Sequence, residues 1–125
     1  MRTAPIRALL IDDEEELVAT MVERLEHRDV QARYVTNGSD GLSLLRRETF
    51  DVVVLDVKLP GMSGLDVLRA INAEHPRLPV LLITGHGSIT DLDAEIPPGA
   101  CDCLPKPIKL DLLVDKMREA VENRN

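Results

Sequence analysis

The sequence has few aromatic residues: it contains no Trp, one Tyr (Tyr34) and one Phe (Phe50). Proteins that bind single-stranded nucleic acid or planar cofactors usually stack them on such rings. Positive charge is also in deficit, because 22 acidic residues against 15 Lys and Arg give a formal net charge of −7. This composition argues against nucleic acid or an anionic membrane as a direct partner of the chain.

Cysteine is scarce, and long apolar runs are missing. Cys101 and Cys103 are too few for a disulfide framework and lack the spacing of zinc ligands. Two positions apart on a strand, they would also be too far apart for an unstrained bridge. We therefore expect reduced thiols in a cytoplasmic protein. No signal peptide precedes Ile6, and no apolar run approaches the length that spans a membrane.

The length and balance of the chain are those of one globular domain. It has 125 residues, of which 44% are hydrophobic and 30% are charged, and this is enough to bury a single core without disulfides or metals. We expect one domain over residues 1–125. Its core should cover residues 6–121, and residues 122–125 are either a terminus or the stub of a linker to an output domain.

Five short segments are predicted to be β-strands: Ile6–Ile11, Val30–Val35, Val52–Leu55, Leu78–Ile83 and Cys101–Leu104. The third is an apolar, β-branched run of the kind that is buried on both faces of a sheet. Apolar residues at helical spacing follow each of the first three strands and the fifth. The segment from Ser88 is a poor helix that Pro97-Pro98 would stop. Five β-then-α units predict a parallel sheet with helices on both faces.

Polar side chains stand at the C-terminal ends of four of these strands. Asp12 and Asp13 follow the first strand, Asp56 the third, Thr84 the fourth and Lys106 the fifth. Open α/β sheets carry their functional residues at this edge. Each residue alone has an ordinary explanation, since Asp, for example, often begins a turn. Together they predict a single site.

The residue types at this edge indicate phosphoryl chemistry. Acids that face one another repel unless a cation lies between them, and a site with few protein oxygens favours Mg²⁺ over Ca²⁺. Beside such an ion, Lys106 and Thr84 would neutralise and orient a phosphoryl group. Asp56, on the central strand, is then the expected nucleophile that forms an aspartyl phosphate. Glu14–Glu16, by contrast, need no role beyond complementing the dipole of the helix that they begin.

Four motifs make the sequence resemble the receiver domain of two-component response regulators. They are IDDEE at 11–15, VVVLDVKLPGMSG at 52–64, LLITGHG at 81–87 and LPKPI at 104–108. The resemblance covers almost the whole chain and implies a flavodoxin-like (βα)5 doubly wound sandwich, with a five-stranded parallel sheet in the order 2-1-3-4-5. The GHG after Thr84 is most similar to receivers of the nitrogen- and transport-control type.

The resemblance also implies a function. Asp56 would accept a phosphoryl group from a sensor histidine kinase, and Thr84 and Lys106 would bind the phosphoryl oxygens. The domain would be a signalling module rather than an enzyme, catalysing only its own phosphorylation and dephosphorylation. Further implied partners are an output domain or downstream effector. A second copy of the chain would bind through the face made by the fourth helix, the fifth strand and the terminal helix.

The resemblance also implies a metal site, which includes some of the residues at this edge of the sheet. Asp13, Asp56 and the backbone carbonyl of Lys58 would ligate Mg²⁺, and Asp12 would act partly through a water molecule. The peptide bond between Lys106 and Pro107 is expected to be cis.

Two departures from the family pattern fall away from this site. Cys103 stands where such receivers usually carry Tyr or Phe, three residues before the lysine, and Pro97-Pro98 interrupt the segment where the family continues its fourth helix. We therefore expect intact phosphorylation chemistry and an unusual output, in which phosphorylation mainly orders the loop 84–96. Lys58 and His86 are expected to tune the lifetime of the phosphoryl group.

Three other functions fit parts of the pattern. A haloacid-dehalogenase-like phosphatase also uses a strand-end Asp, but it needs a second acid where this chain has Lys58, and it needs more chain. A flavin-binding electron carrier would need aromatic side chains and a hydroxyl-rich phosphate loop. A receiver-like scaffold that is never phosphorylated remains an alternative. A phosphorylation assay distinguishes it from a receiver domain that is phosphorylated on Asp56.

Overall fold

The computed structural model describes residues 5–85 and 96–123. Five strands and four helices lie in these ranges. In chain order they are β1 (Ile6–Ile11), α1 (Glu15–Glu26), β2 (Val30–Val35), α2 (Gly38–Arg47), β3 (Val52–Asp56), α3 (Gly64–Glu74), β4 (Val80–Thr84), β5 (Asp102–Pro105) and α4 (Leu110–Glu122). None of these four helices is long and apolar enough to cross a lipid bilayer. His86 and nearly all of the helical segment predicted from Ser88 lie outside the described residues.

The five strands form one parallel sheet in the order β2-β1-β3-β4-β5, as predicted. Ile11 of β1 pairs with Leu55 of β3, and Leu55 pairs in turn with Leu82 of β4. Ile83 then pairs with Leu104 of β5. Because all strands run in the same direction, the residues that follow β1, β3, β4 and β5 emerge at one edge of the sheet.

Side chains that alternate along the strands build a separate core on each face of the sheet. On one face, Leu10, Val54 and Leu81 pack with residues of α1 and α4. On the other, Leu9, Val53 and Leu82 pack with residues of α2 and α3. All five residues of β3 are buried. Each fully buried aliphatic side chain contributes about 1.5–3 kcal/mol, so the two cores hold the central strand firmly in place.

Local sequence signals set where the elements begin. The side chain of Asn37 accepts a hydrogen bond from the Asp40 amide at 2.8 Å, and this contact caps α2. Strand β4 begins at Val80, two residues later than predicted. The reason is that the Leu78 amide donates to the His75 carbonyl at 3.0 Å, so that Leu78 belongs to the turn after α3.

Helix α3 starts in direct contact with the main chain of β3. Its first residue, Gly64, donates its amide hydrogen to the Val57 carbonyl at 2.9 Å. A Cβ atom on Gly64 would lie 2.4 Å from the Asp56 carbonyl oxygen and 2.6 Å from the Val57 Cα atom. The absence of a side chain therefore lets α3 begin against the backbone that carries Asp56. The side chain of Ser63 caps this helix by accepting from the Asp66 amide at 3.2 Å, as its spacing predicts.

We expect Gly64→Ala to destabilise the protein by about 1–3 kcal/mol, the usual effect of overpacking. Helix propensity alone would favour Ala by at most about 1 kcal/mol. The clash outweighs it because the blocking atoms belong to the backbone and cannot rotate away. Urea unfolding of both proteins measures the difference. Gly85→Ala is the control, since a Cβ there meets no atom within 4 Å. An unfolding midpoint for Gly64→Ala at or above that of the unmodified chain would contradict this account of the contact.

Candidate functional site

Three acidic side chains meet at the C-terminal edge of the sheet. Asp12 and Asp13 follow β1, and Asp56 is the last residue of the neighbouring strand β3. One carboxylate oxygen of each lies within 4.8 Å of those of the other two. Asp12 and Asp56 are only 5% and 4% exposed, whereas Asp13 is exposed. Two buried carboxylates and one exposed carboxylate thus share a small volume.

Burial raises the pKa of Asp12 above its ordinary value, and the negative charges of Asp56 and Glu14 add to this effect. A hydrogen bond from the Glu14 amide to Asp12 Oδ1, at 2.9 Å, and the positive charge of Lys106 act in the opposite direction. The net shift is upward, so the ionised form of Asp12 is less favourable in the folded protein than in the unfolded chain.

Lys106 supplies the positive charge at this edge. Its Nζ atom lies 3.1 Å from Asp56 Oδ2 and 3.5 Å from Asp12 Oδ2, and it also forms an ion pair with Glu14. Burial alone would lower the pKa of Lys106, but its hydrogen bonds with Glu14 and Asp56 outweigh that effect and raise it. The side chain is therefore an ammonium ion at neutral pH. The bond between Lys106 and Pro107 is cis, which confirms that prediction.

The other carboxylate oxygen of Asp56 contacts the main chain. Asp56 Oδ1 accepts a hydrogen bond from the amide of Lys58 at 3.0 Å. The Lys58 side chain itself is exposed. The two oxygens of Asp56 thus have different neighbours, a backbone amide on one side and the Lys106 ammonium on the other.

Thr84 ends β4 and is 2% exposed. Its carbonyl accepts a hydrogen bond from the Lys106 amide at 2.8 Å, which ties the end of β4 to the residue after β5. Burial raises the pKa of the nearby Cys103 thiol, a hydrogen bond with Thr84 opposes this, and the charge of Asp102 adds to it. Cys103 pairs with Leu82, so its side chain and that of Thr84 lie on the same face of the sheet. Both cysteines are free.

The contribution of Glu14 was not predicted from the sequence. The prediction that Glu14–Glu16 only complement the helix dipole is wrong for Glu14. Helix α1 begins at Glu15, Glu14 is its N-cap residue, and the Glu14 side chain pairs with Lys106. The available signal was position: Glu14 follows directly on the acid pair at the end of β1.

The acidic cluster fits a magnesium ion. Mg²⁺ takes hard oxygen ligands, commonly one or two carboxylates, and completes its shell with water. The carboxylates of Asp12, Asp13 and Asp56 offer such oxygens within one ion's reach. A divalent cation there would also relieve the repulsion between the two buried acids.

A doubly wound five-stranded sheet with acids, a threonine and a lysine at its C-terminal edge defines a receiver-type signalling domain. The family model described as the response regulator receiver domain matches residues 8–118. The chain therefore belongs to the family of response regulator receiver domains, which are components of two-component signalling systems.

Curated relatives are similar over nearly the whole chain. The probable transcriptional regulatory protein TcrX of Mycobacterium tuberculosis is 38% identical over 114 residues, covering 91% of this chain and 49% of TcrX. The C4-dicarboxylate transport transcriptional regulatory protein DctD of Rhizobium meliloti is 36% identical over 124 residues, 99% of this chain and 27% of DctD. The chain thus spans about half of one relative and a quarter of the other. The similarity to DctD confirms the predicted resemblance to transport-control regulators.

Solved structures give the same result. The receiver domain of NtrX from Brucella abortus superposes with a TM-score of 0.85 at 31% identity, covering 93% of this chain and 98% of that one. A response regulator receiver domain protein from Clostridium thermocellum gives a TM-score of 0.87 at 28% identity, with 95% and 96% covered.

We expect Asp12→Asn to stabilise the protein in the presence of a chelator, by about 0.5–2 kcal/mol. The amide removes a buried charge, and its oxygen can still accept from the Glu14 amide. Because the pKa of Asp12 is raised by folding, the charge destabilises the fold above that pKa and has no effect below the unfolded pKa of about 3.9. Thermal unfolding should therefore show a larger gain at pH 7 than at pH 4.

Asp115→Asn is the matched control, since it removes the same charge from an exposed position on α4. An Asp12→Asn protein that is less stable than the unmodified chain at pH 7 in chelator would show that the contact with Lys106 outweighs the repulsion.

Proposed function

We propose that this domain takes a phosphoryl group from a sensor histidine kinase onto Asp56 in the presence of Mg²⁺, and that it catalyses only its own phosphorylation and dephosphorylation. The observation that carries the proposal is the position of the Lys106 ammonium, 3.1 Å from a buried Asp56 carboxylate that lies within the three-acid cluster. Such an arrangement has the charges that phosphoryl transfer to a carboxylate requires.

In this proposal an oxygen of Asp56 attacks the phosphorus atom of the phosphohistidine. A P–O bond forms, the P–N bond breaks, and the histidine leaves with the electron pair. Asp13, Asp56 and the backbone carbonyl of Lys58 would hold Mg²⁺, and Asp12 would act partly through water. When bound, the ion neutralises charge on the carboxylates and on the phosphoryl oxygens. The Lys58 amide that donates to Asp56 Oδ1 helps to fix the direction of the carboxylate.

Lys106 and Thr84 bind the oxygens of the transferred group. The pKa of Lys106 is raised, which supports a fixed positive charge for this role. The Thr84 side chain is buried at the end of β4 and forms a hydrogen bond with Cys103. On phosphorylation, Thr84 would give up this hydrogen bond and bind a phosphoryl oxygen. In this way the phosphorylation of Asp56 would change the contacts of β5.

The predicted ordering of the loop 84–96 remains a proposal, because residues 86–95 lie outside the described ranges. We also propose that Lys58, whose side chain is exposed, and His86, which lies outside the described ranges, tune the lifetime of the phosphoryl group.

The proposal extends to partners and context. In this proposal the core of the receiver domain covers residues 6–121, and its last helix, α4, ends at Glu122. Because its curated relatives are two to four times longer, we infer an output domain or an effector protein as the recipient of the signal. A cytoplasmic location also belongs to the proposal, as does a dimer through the face made by the helical segment predicted from Ser88, β5 and α4. No observation favours the phosphatase alternative.

Asp56 should be the one residue that is phosphorylated. Incubation of the chain with acetyl phosphate and Mg²⁺, followed by intact mass measurement, should show one added phosphate. Asp56→Asn and excess chelator should each abolish the addition, because the first removes the nucleophile and the second removes the charge neutralisation. Asp115→Asn, with the same change at an exposed position, should react like the unmodified chain. A phosphate that persists on Asp56→Asn rules out the assignment, and a scaffold that is never phosphorylated would show no addition at all.

Asp13 should matter more than Asp12 for magnesium affinity, because direct ligation loses more on removal than a contact through water. We expect a loss of about 100-fold for Asp13→Asn and about tenfold for Asp12→Asn, within the range seen for residues around metal sites. Magnesium titrations followed by amide chemical shifts or by calorimetry measure both. Equal losses would overturn the division of roles between the two acids and leave the site itself in place.

A further inference from the structure

Glu14 lies at the boundary between the acidic edge of the sheet and an open groove. The groove has a volume of about 640 Å³ and runs between the start of α1 and the segment that follows β5. Glu14 and Leu17 line one side of it, and Lys106, Pro107 and Ile108 line the other. Lys106 therefore faces the groove as well as the buried acids.

The Lys106 ammonium is shared between partners in two different environments. The side chain of Asp56 is 5% exposed, while that of Glu14 is 56% exposed and that of Lys106 is 17% exposed. Asp56 holds the ammonium from the interior, and Glu14 holds it from the solvent side. Because the Glu14 side chain is exposed, solvent screens its contact with Lys106 more than that of Asp56, and Glu14 can exchange it for another partner more easily.

The backbone of the β1–α1 turn fixes where Glu14 can reach. Its amide donates to Asp12 Oδ1 at 2.9 Å, and its carbonyl accepts from the Val18 amide at 3.0 Å. The Glu14 side chain makes no capping hydrogen bond of its own with α1, which leaves it free to extend towards Lys106. The next residue, Glu15, has a different partner, because its carboxylate accepts from the Tyr34 hydroxyl at 3.1 Å.

We propose that Glu14 is a resting counter-ion of Lys106, and that it competes with the phosphoryl group for the ammonium and so slows the phosphorylation of Asp56. This inference rests on the function proposed above. When Asp56 becomes an acyl phosphate, its carboxyl oxygens no longer carry a negative charge. The attraction between these oxygens and Lys106 therefore weakens. Glu14 keeps its charge and remains as the competitor, and it also repels the incoming phosphoryl oxygens. Because exposed ion pairs are weak, the effect is a moderate adjustment of rate rather than a block.

Glu14→Gln tests the proposal against Glu16→Gln. Both remove one negative charge from the start of α1. Glu16 is exposed, and its side chain forms no ion pair among the residues that the structure describes. With acetyl phosphate as donor and Mg²⁺ present, Asp56 forms a P–O bond while acetate leaves. The initial rate, followed by intact mass, should rise about two- to fivefold more in Glu14→Gln than in Glu16→Gln, as expected for the loss of one exposed pair.

A second measurement reads the ion pair without any phosphorylation. Removing Glu14 opens Nζ of Lys106 to the groove and removes a partner that favours its charged form, so Lys106 should react faster with acetic anhydride, as read by peptide mass spectrometry. Lys109 provides the internal reference. Equal reactivity of Lys106 in the two variants, or a phosphorylation rate in Glu14→Gln at or below that of Glu16→Gln, overturns the proposal. A chain that takes no phosphate even without substitution refutes the proposed function instead, and the reactivity of Lys106 then decides the ion pair alone.

Discussion

The contact between the Lys106 ammonium and the buried carboxylate of Asp56 is the interaction on which the site depends. In the sheet, β5 is hydrogen-bonded to β4 and β4 to β3. Lys106, just beyond β5, reaches across the end of β4 to Asp56 at the end of β3, 3.1 Å away. Without it, two buried acids and an exposed third would face one another uncompensated. The fold therefore brings one positive charge to the place where its parallel strands concentrate negative charge.

Much of this arrangement follows from the sequence, for physical reasons that particular residues show. A run such as Val52–Leu55 has no polar face, so it fits a central strand that is covered on both sides. Asn37 and Ser63 carry side chains that satisfy the first free amides of a helix, so they mark where α2 and α3 begin. Once the strands are parallel, the acids at the C-terminal ends of β1 and β3 must share an edge, and the site follows from the topology.

The remainder depends on geometry that spacing does not encode. Whether Glu14 points along α1 or towards Lys106 depends on the path of the turn after β1, which the Asp12 side chain helps to set. The proximity of Cys103 to Thr84 depends on the register of β4 against β5, in which Leu82 pairs with Cys103. The start of β4 depends on a turn hydrogen bond of Leu78 that no apolar pattern reveals. The periodicity of apolar residues in the sequence predicts none of these three contacts.

The close approach of Gly64 to the backbone of Asp56 has a consequence for how the molecule opens. Residues at functional sites often exchange their amide hydrogens through small local openings of loops. Here the amide of Gly64 bonds to the Val57 carbonyl, and the amide of Val57 bonds to the Ile83 carbonyl in the next strand. These hydrogen bonds tie the main chain next to Asp56 to β4 and to the start of α3. To break these hydrogen bonds the protein must open part of its core, so we expect the amides of Val57 and Gly64 to exchange slowly although the site lies at the edge of the sheet.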